Sequence, residues 1–512
     1  MTARPTSRAF IKLEVFKDIM IYYPLDGSQG RDKGQSMTNN TYQRHMGLFS
    51  SVMLIAGSMI GSGVFIVAAD MVRIGHTGTS LLLGWLLTGI ITILCALSFG
   101  ELAGMFPRAG GQYSYIKEIY GPMTAFTFGW TFFTVIECGT IAAVAVGFGK
   151  YLGTFFPGIS DTVWLGSKIH IDQFTLLNIK DQFIITLGPY DMGLTPSRLS
   201  GIAIIGLLTA INLLGVKAGS WIQNILTVIK IASLAVLIFF GLYLSPQTVP
   251  DASPLPFTQD SVYYGFLVSL LIMQTGSLFS ATAWESLTFV ASEVKDPKRV
   301  IPLSLFIGTT LVCGIYFIVN LIYIKFLGPV GIATAPNDRV GSLALQAMMG
   351  SSGAYLMAGG ILISMFGCVN GIVLSGARVY QSMAEDGLFF KGVKALNSNG
   401  VPAYGLAYQA IWSCILTLTG TYGQLLDFVM FAAILFFFLT VLGVIILRIR
   451  KPDLDRPIKV IAYPLTPLLY LFLAGSVMIA LLIFRPSYTW PGLMIVLMGI
   501  PIYFLRPKKE QI

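Results

Sequence analysis

The stretch "GSMIGSGVF" at residues 57–65 lies inside a run of apolar residues. In hydrocarbon every backbone N–H and C=O needs a partner, so a membrane helix tolerates a break only where it lines a cavity or is buried in protein. Three glycines and two serines within seven positions make a break cheap, because glycine leaves α-geometry at little steric cost. Such a break bares N–H groups on one half-helix and C=O groups on the other. The first set binds an anion such as a carboxylate. The second accepts hydrogen bonds from an ammonium. One interruption thereby offers a partner to both charged ends of an amino acid without using a charged side chain. Close helix packing through small residues is the other use of this pattern. Against that use stands a second irregular segment, "GSLFSATAWES" at 276–286, in a 30-residue apolar run too long for one regular span. Interrupted spans in corresponding positions of two halves point to the binding site of an inverted-repeat transporter.

Four of the ionisable residues within the apolar runs are candidates for function. Lys230 stands in "ILTVIKIASLAVLIFF"; a charge inside a span is costly and marks function by default, the alternative being a side chain that snorkels to the interface. Glu285 follows Trp284 at the second irregular segment. It reads either as a proton-responsive group linking protonation to gating or as a carboxylate fixed by serine or backbone donors. Glu137 lies mid-span in "TFFTVIECGTIAAVA", one turn before Thr140. It would attract a cationic substrate side chain, or pair with a lysine or a hydroxyl. Glu101 belongs to "ELAG" at the end of the second apolar run and reads as a structural or inner-gate residue.

These residues must be positioned by membrane helices. Of 512 residues, 55% are hydrophobic and only 11% charged, where a soluble globular chain would be about a quarter charged. The chain is therefore read as an all-α integral membrane protein. Apolar runs long enough to span occur at 47–69, 79–106, 121–149, 196–215, 222–244, 262–291, 303–328, 354–384, 402–420, 424–447, 463–484 and 490–505, twelve in all. The interrupted runs are the first and the sixth. That spacing predicts a 5+5 inverted repeat, with 47–244 and 262–447 as its halves, 463–505 as two extra helices and 506–512 as a tail. The net charge of +9 is read as Lys and Arg in cytoplasmic loops rather than as a nucleic-acid surface. With the N-terminus inside, 24 of the 33 basic residues are cytoplasmic, eight are outside and Lys230 is in the membrane, which places both termini in the cytoplasm. Residues 1–46 read as a disordered cytoplasmic tail without a cleavable leader pattern; Met37 is a second candidate start. The outer stretch 151–195 alternates weakly ("HIDQFTLLNI") and is expected to form a small cap. The five cysteines form no CxxC pair and no intramembrane histidine exists, so neither a disulfide framework, a metal site nor a cofactor is expected.

Five segments in order, "GSMIGSGVF", "SFGELAGMFPRAGGQYSYIKEIYG" (98–121), "FSATAWESLTFVASEVKDPKRVIP" (279–302), "ARVYQSMAEDGLF" (377–389) and "ILRIRKPDLDRPIKVIAYP" (446–464), resemble the amino acid–polyamine–organocation permeases. The resemblance covers about residues 44–470 and falls between L-type amino-acid exchangers and bacterial basic-amino-acid antiporters. It implies a LeuT-like fold with discontinuous helices 1 and 6. By resemblance, the substrate carboxylate sits on the N–H groups of Gly61, Ser62 and Gly63, with the Ser62 hydroxyl as a further donor. The ammonium meets the carbonyls of Met59, Ile60, Phe279 and Thr282. Phe279 matches the family's aromatic gate, and Thr140 a substrate-contacting position on helix 3. Lys230 occupies the place of sodium in related sodium-coupled carriers, which implies sodium-independent transport. Glu285 matches the acid-resistance antiporters, where L-type exchangers carry Asn.

Two departures narrow what the resemblance implies. Near Ile372 the family's arginine exchangers place a tryptophan on helix 8, so that stacking surface is missing. The loop 151–195 has no cysteine, so no disulfide-linked glycoprotein subunit is expected. The implied function is amino-acid transport by alternating access in the cell (inner) membrane, through exchange or proton-coupled uptake. A polyamine or cationic amino-acid antiporter of the same fold is the alternative. An intramembrane enzyme would need a nucleophile–base pair or metal ligands within the spans, and a channel would need a repeated polar pore-lining helix.

Overall fold

The protein is described by a computed structural model that covers residues 44, 46–108, 110–179, 183–246, 250, 253–255 and 265–506. The tails expected over 1–46 and 506–512 lie outside these residues except for Arg44, Met46 and Arg506.

Every apolar run carries helix. The first run holds α1 (Leu48–Met59) and α2 (Gly63–Gly75), followed by α3 (Gly78–Met105), α4 (Gln112–Tyr120), α5 (Pro122–Thr131) and α6 (Cys138–Leu152). After two antiparallel strand pairs come α7 (Pro196–Leu213) and α8 (Val216–Tyr243). The sixth run is divided into α9 (Phe266–Ile272), α10 (Gln274–Ser280) and α11 (Ser286–Phe289). Then follow α12 (Pro297–Ala333), α13 (Val340–Met349), α14 (Ser351–Glu385), α15 (Ala403–Thr417), α16 (Tyr422–Arg450), α17 (Leu465–Phe484) and α18 (Pro486–Leu505). Among the described residues, eight helices are long and apolar enough to cross a membrane, and the bent pair α1–α2 makes a ninth. Within 151–195, β1 (Ile169–Ile171) pairs with β4 (Tyr190–Met192), and β2 (Phe174–Ile179) with β3 (Phe183–Leu187).

Two helix sets form around the middle of the chain. In one, α3 and α1 pack along α12, and α10 lies against α2 and α3. In the other, α6, α7, α14 and α15 all pack on one another. Helix α16 touches both sets through α10 and α6. Between α5 and α6 the chain makes a wide π-turn over Phe132–Glu137 without ending the helix. Its displaced Thr134 carbonyl accepts from the Trp412 indole N–H of α15 at 2.9 Å.

The buried carboxylate of Glu101, near the end of α3, is held by Arg448 of α16 (Nε to Oε1, 2.9 Å) and by the Val460 N–H at 2.8 Å. Arg456 lies 3.4 Å away. This clamp ties the end of α3 to α16 and to the segment beyond it. Removing one partner of a buried ion pair strands the remaining charge, at about 3–5 kcal/mol. Glu101→Ala should therefore lower the unfolding temperature of the purified protein sharply, and Glu101→Gln less; equal melting of all three forms would contradict the assignment.

Candidate functional site

The first break separates α1 from α2 at Ile60–Ser62, and the two axes differ by 47°. A helix leaves its last four C=O and first four N–H groups without partners inside the helix. At this break the two ends are treated differently. On the C=O side every group is taken. Lys230 Nζ donates to the Gly57 carbonyl and, at 3.0 Å, to that of Ile60. Cys368 Sγ reaches the Ser58 carbonyl at 3.5 Å, and the Tyr316 hydroxyl donates to Met59 at 2.8 Å. Ser364 Oγ adds a second bond to Ile60 at 3.1 Å. On the N–H side, Ser62 is the N-cap of α2 but makes no side-chain cap. Phe65 N–H bonds back to the Ser62 carbonyl, while the N–H groups of Gly61, Ser62, Gly63 and Val64 have no acceptor among the described residues. The Ser62 hydroxyl instead pairs with that of Tyr422 at 2.9 Å.

Lys230 lies in the middle of α8, about 21 Å of helix from Val216, because α8 begins before the apolar run does. It is fully buried, so its ammonium does not snorkel. Gly63 lies against α10 so closely that a Cβ there would sit 2.0 Å from Ser280 Oγ. Only glycine lets the two broken spans meet at this point.

The second break runs from Ala281 to Glu285, between α10 and α11. Ala283 adopts φ 70°, a left-handed conformation that costs a non-glycine residue energy and that clusters at functional sites. The Phe279 carbonyl accepts from both the N–H and the hydroxyl of Thr282, at 3.2 and 2.7 Å. Of the four carbonyls expected to meet an ammonium, Ile60 and Phe279 thus already accept two bonds each. Met59 accepts one, and Thr282 none among the described residues. The Phe279 ring is buried edge-on to Tyr422, with centroids 6.3 Å apart.

Next to the second break lies a small cavity. Its lining brings together Thr140, Glu137, Thr282, Glu285 and Ile372, which the sequence analysis named separately. Phe279 and Lys230 stand at the breaks, and Glu101 stands apart in its arginine clamp.

Where α2 and α6 end, Asp338 joins the two helix sets: Arg73 pairs with one carboxylate oxygen and Lys150 with the other at 3.3 Å. Burial works to raise the Asp338 carboxyl, but the charges and hydrogen bonds of Lys150 and Arg73 hold it below the usual carboxylate range. Lys150 also lies 5.9 Å from the Tyr422 ring centroid.

Tyr422, Tyr316, Ser364 and Cys368 serve the first break without any mark in their local sequence, since each is an ordinary residue of an apolar helix. The π-turn that ends at Glu137 is equally silent, although such turns recur at functional sites.

Residues 46–504 match the amino acid permease family. The b(0,+)-type amino acid transporter 1 of Rattus norvegicus is 26% identical over 469 residues, covering 90% of this chain and 88% of its own length. The large neutral amino acids transporter small subunit 2 of Mus musculus is 29% identical over 479 residues, with 90% and 81% covered. The serine/threonine exchanger SteT of Bacillus subtilis (strain 168) is 27% identical over 476 residues, with 92% and 99% covered. The mouse relative is named as a subunit, so a partner chain occurs among the relatives, whereas the bacterial exchanger's name carries no such word.

Lys230→Met keeps an unbranched, slightly shorter side chain and removes the donor shared by Gly57 and Ile60. Stranding a buried acceptor costs about 1–3 kcal/mol. The variant should unfold at a lower temperature than the parent and lose more than tenfold in transport, read as initial uptake in proteoliposomes. Parental uptake by Lys230→Met would remove Lys230 from the site.

Proposed function

The chain belongs to the amino acid permease family, and we propose that it is a secondary amino-acid transporter working by alternating access. It is a multi-pass membrane protein whose relatives are transporters rather than enzymes. The observation that carries the proposal is the asymmetry of the first break. Its carbonyl end is closed by side chains of the protein, and its amide end is left open. Open N–H groups at a helix N-terminus, next to the positive end of the helix dipole, favour a carboxylate. The α-carboxylate is assigned to Gly61, Ser62 and Gly63. The ammonium is assigned to the carbonyls of Met59, Ile60, Phe279 and Thr282, with Met59 and Thr282 holding the spare acceptor capacity. Phe279 is the gate over the bound substrate.

In this reading the chain has twelve spans in a 5+5 inverted repeat with two helices after it. The repeat halves are 47–244 and 262–447, and both termini face the cytoplasm from the cell membrane. The set built of α1, α2, α3, α10 and α12 rocks against α5–α7, α14 and α15 around the two breaks. The packing of each set within itself supports this division. Lys230 places its own amino group on carbonyls that an ion would otherwise have to neutralise, so the carrier does not need sodium. Exchange and proton-coupled uptake share this site, and Glu285 is the group through which protons would act.

Purified protein in proteoliposomes preloaded with unlabelled amino acid should take up external labelled amino acid faster than empty vesicles do. Replacing sodium by choline should change that rate by less than twofold. Decarboxylated analogues should not drive the counterflow, because they lack the group assigned to the open amides. Uptake indifferent to the internal load and to the carboxylate would overturn the proposal.

A further inference from the structure

Helix α2 has 13 residues, about 20 Å of rod, and it begins at the amide end of the first break. Three ties hold it to α6 and α16. At its start, the Ser62 hydroxyl pairs with that of Tyr422 at 2.9 Å. In its first turn, the Phe65 carbonyl accepts from the Tyr151 hydroxyl of α6 at 3.0 Å. In its last turn, Arg73 pairs with Asp338, whose other carboxylate oxygen takes Lys150 of α6 at 3.3 Å. The next residue, Arg339, donates to the Thr154 hydroxyl just beyond α6.

The anchors of these ties are neighbours. Lys150 and Tyr151 are consecutive on α6, and Lys150 Nζ lies 5.9 Å from the Tyr422 ring centroid. Helix α6 passes that ring so closely that a Cβ on Gly147 would stand 3.3 Å from it. Asn337 and Asp338 both hold left-handed backbone, with φ 53° and 61°. Such a conformation persists where the surrounding contacts over-determine it, and it clusters at switch regions. Arg73 also donates to the Ala333 carbonyl at the end of α12, at 3.1 Å. The far end of α2 is therefore fixed to its own helix set independently of Lys150. What joins α2 to the other set is the Asp338–Lys150 contact at one end and the Tyr422 and Tyr151 hydroxyls at the other.

We propose that Tyr422 and Asp338 are positioning residues that hold α2 at its two ends and set the balance between the two faces to which the transporter opens. The inference rests on the alternating-access reading. With the ties made, α2 lies against α6 and α16, and Gly61, Ser62 and Gly63 are buried. With them released, α2 leaves together with α10 and α12, and the amide end opens to the side on which α2 ends. Tyr422 also connects the two ends. A carboxylate at the open amides draws the Ser62 hydrogen to itself, which leaves Tyr422 as the donor of the pair. The ring of that same tyrosine lies beneath Lys150, the partner of Asp338.

The test measures half-saturation from each face, in right-side-out and inside-out membrane vesicles holding the full chain, with vesicles lacking it subtracted. The probe is whichever of labelled L-serine, L-leucine and L-lysine the parent protein counterflows fastest. A weaker site raises both values by one factor and leaves their ratio unchanged. A shift in the balance of faces moves the two values apart, because apparent affinity scales with the fraction of carrier open to that side. Asp338→Asn, and Tyr422→Phe, which keeps the ring, should each lower the ratio of outer to inner half-saturation at least threefold, the outer face being the one where α2 ends. A change of less than threefold in either variant, or changes of opposite sense, overturns the proposal and leaves the carrier standing. If the parent counterflows none of the three amino acids, the underlying reading falls and the proposal with it. Should Asp338→Asn fail to fold, Lys150→Met breaks the same contact from α6 and is held to the same threshold.

Discussion

A polypeptide in hydrocarbon must find a partner for every backbone dipole it exposes. The region from Gly57 to Val64 sets that requirement against the geometry of a broken helix. The carbonyl end is met by four donors from three other helices: Lys230 of α8, Tyr316 of α12, and Ser364 and Cys368 of α14. Three separate helices thereby converge on one short stretch of chain. Among the described residues the amide end has no such escort. The break is therefore stable on one side and unsatisfied on the other, and the unsatisfied side is the one whose dipole attracts negative charge.

The same logic of partners provided and withheld extends beyond the break. Tyr422 pairs its hydroxyl with Ser62, lies edge-on to Phe279 and carries Lys150 over its ring. One residue at the start of α16 thereby touches the first break, the ring beside the second break and the charged group around Asp338. Asp338 in turn joins Arg73 of the first helix set to Lys150 of the second. In the alternating-access reading proposed above, movement of one set against the other would change partners at this carboxylate.

Much of the architecture was legible in the sequence because hydrocarbon imposes a simple length rule. Each apolar run carries helix, and the Gly- and Ser-rich stretch in the first marks the first break within a residue or two. Lys230 declared itself by its charge, although its depth in α8 did not, since the polar start of that helix hid it. The cavity beside the second break was legible only in pieces, as isolated residues on three different spans. What the sequence does not carry is the set of distant donors. Tyr316 and Tyr422 serve positions more than 250 residues away, and nothing in "CGIYFIV" or "GTYGQLL" distinguishes them from packing aromatics. The helix α4 and the wide turn before α6 also lack a compositional signal, because both are set by tertiary neighbours.

An α-helix turns its side chains by about 100° per residue, so the surplus residue at Phe132–Glu137 resets the azimuth of everything beyond it. Ahead of the turn, Trp130 is anchored to α18 through the Ile495 carbonyl at 3.0 Å. Beyond it, α6 is committed to α7, α14 and α15. The two halves of one continuous rod thus carry independent phases, each chosen by its own neighbours. Glu137 sits at the joint, and its heading is a difference between two phases rather than a property of either half.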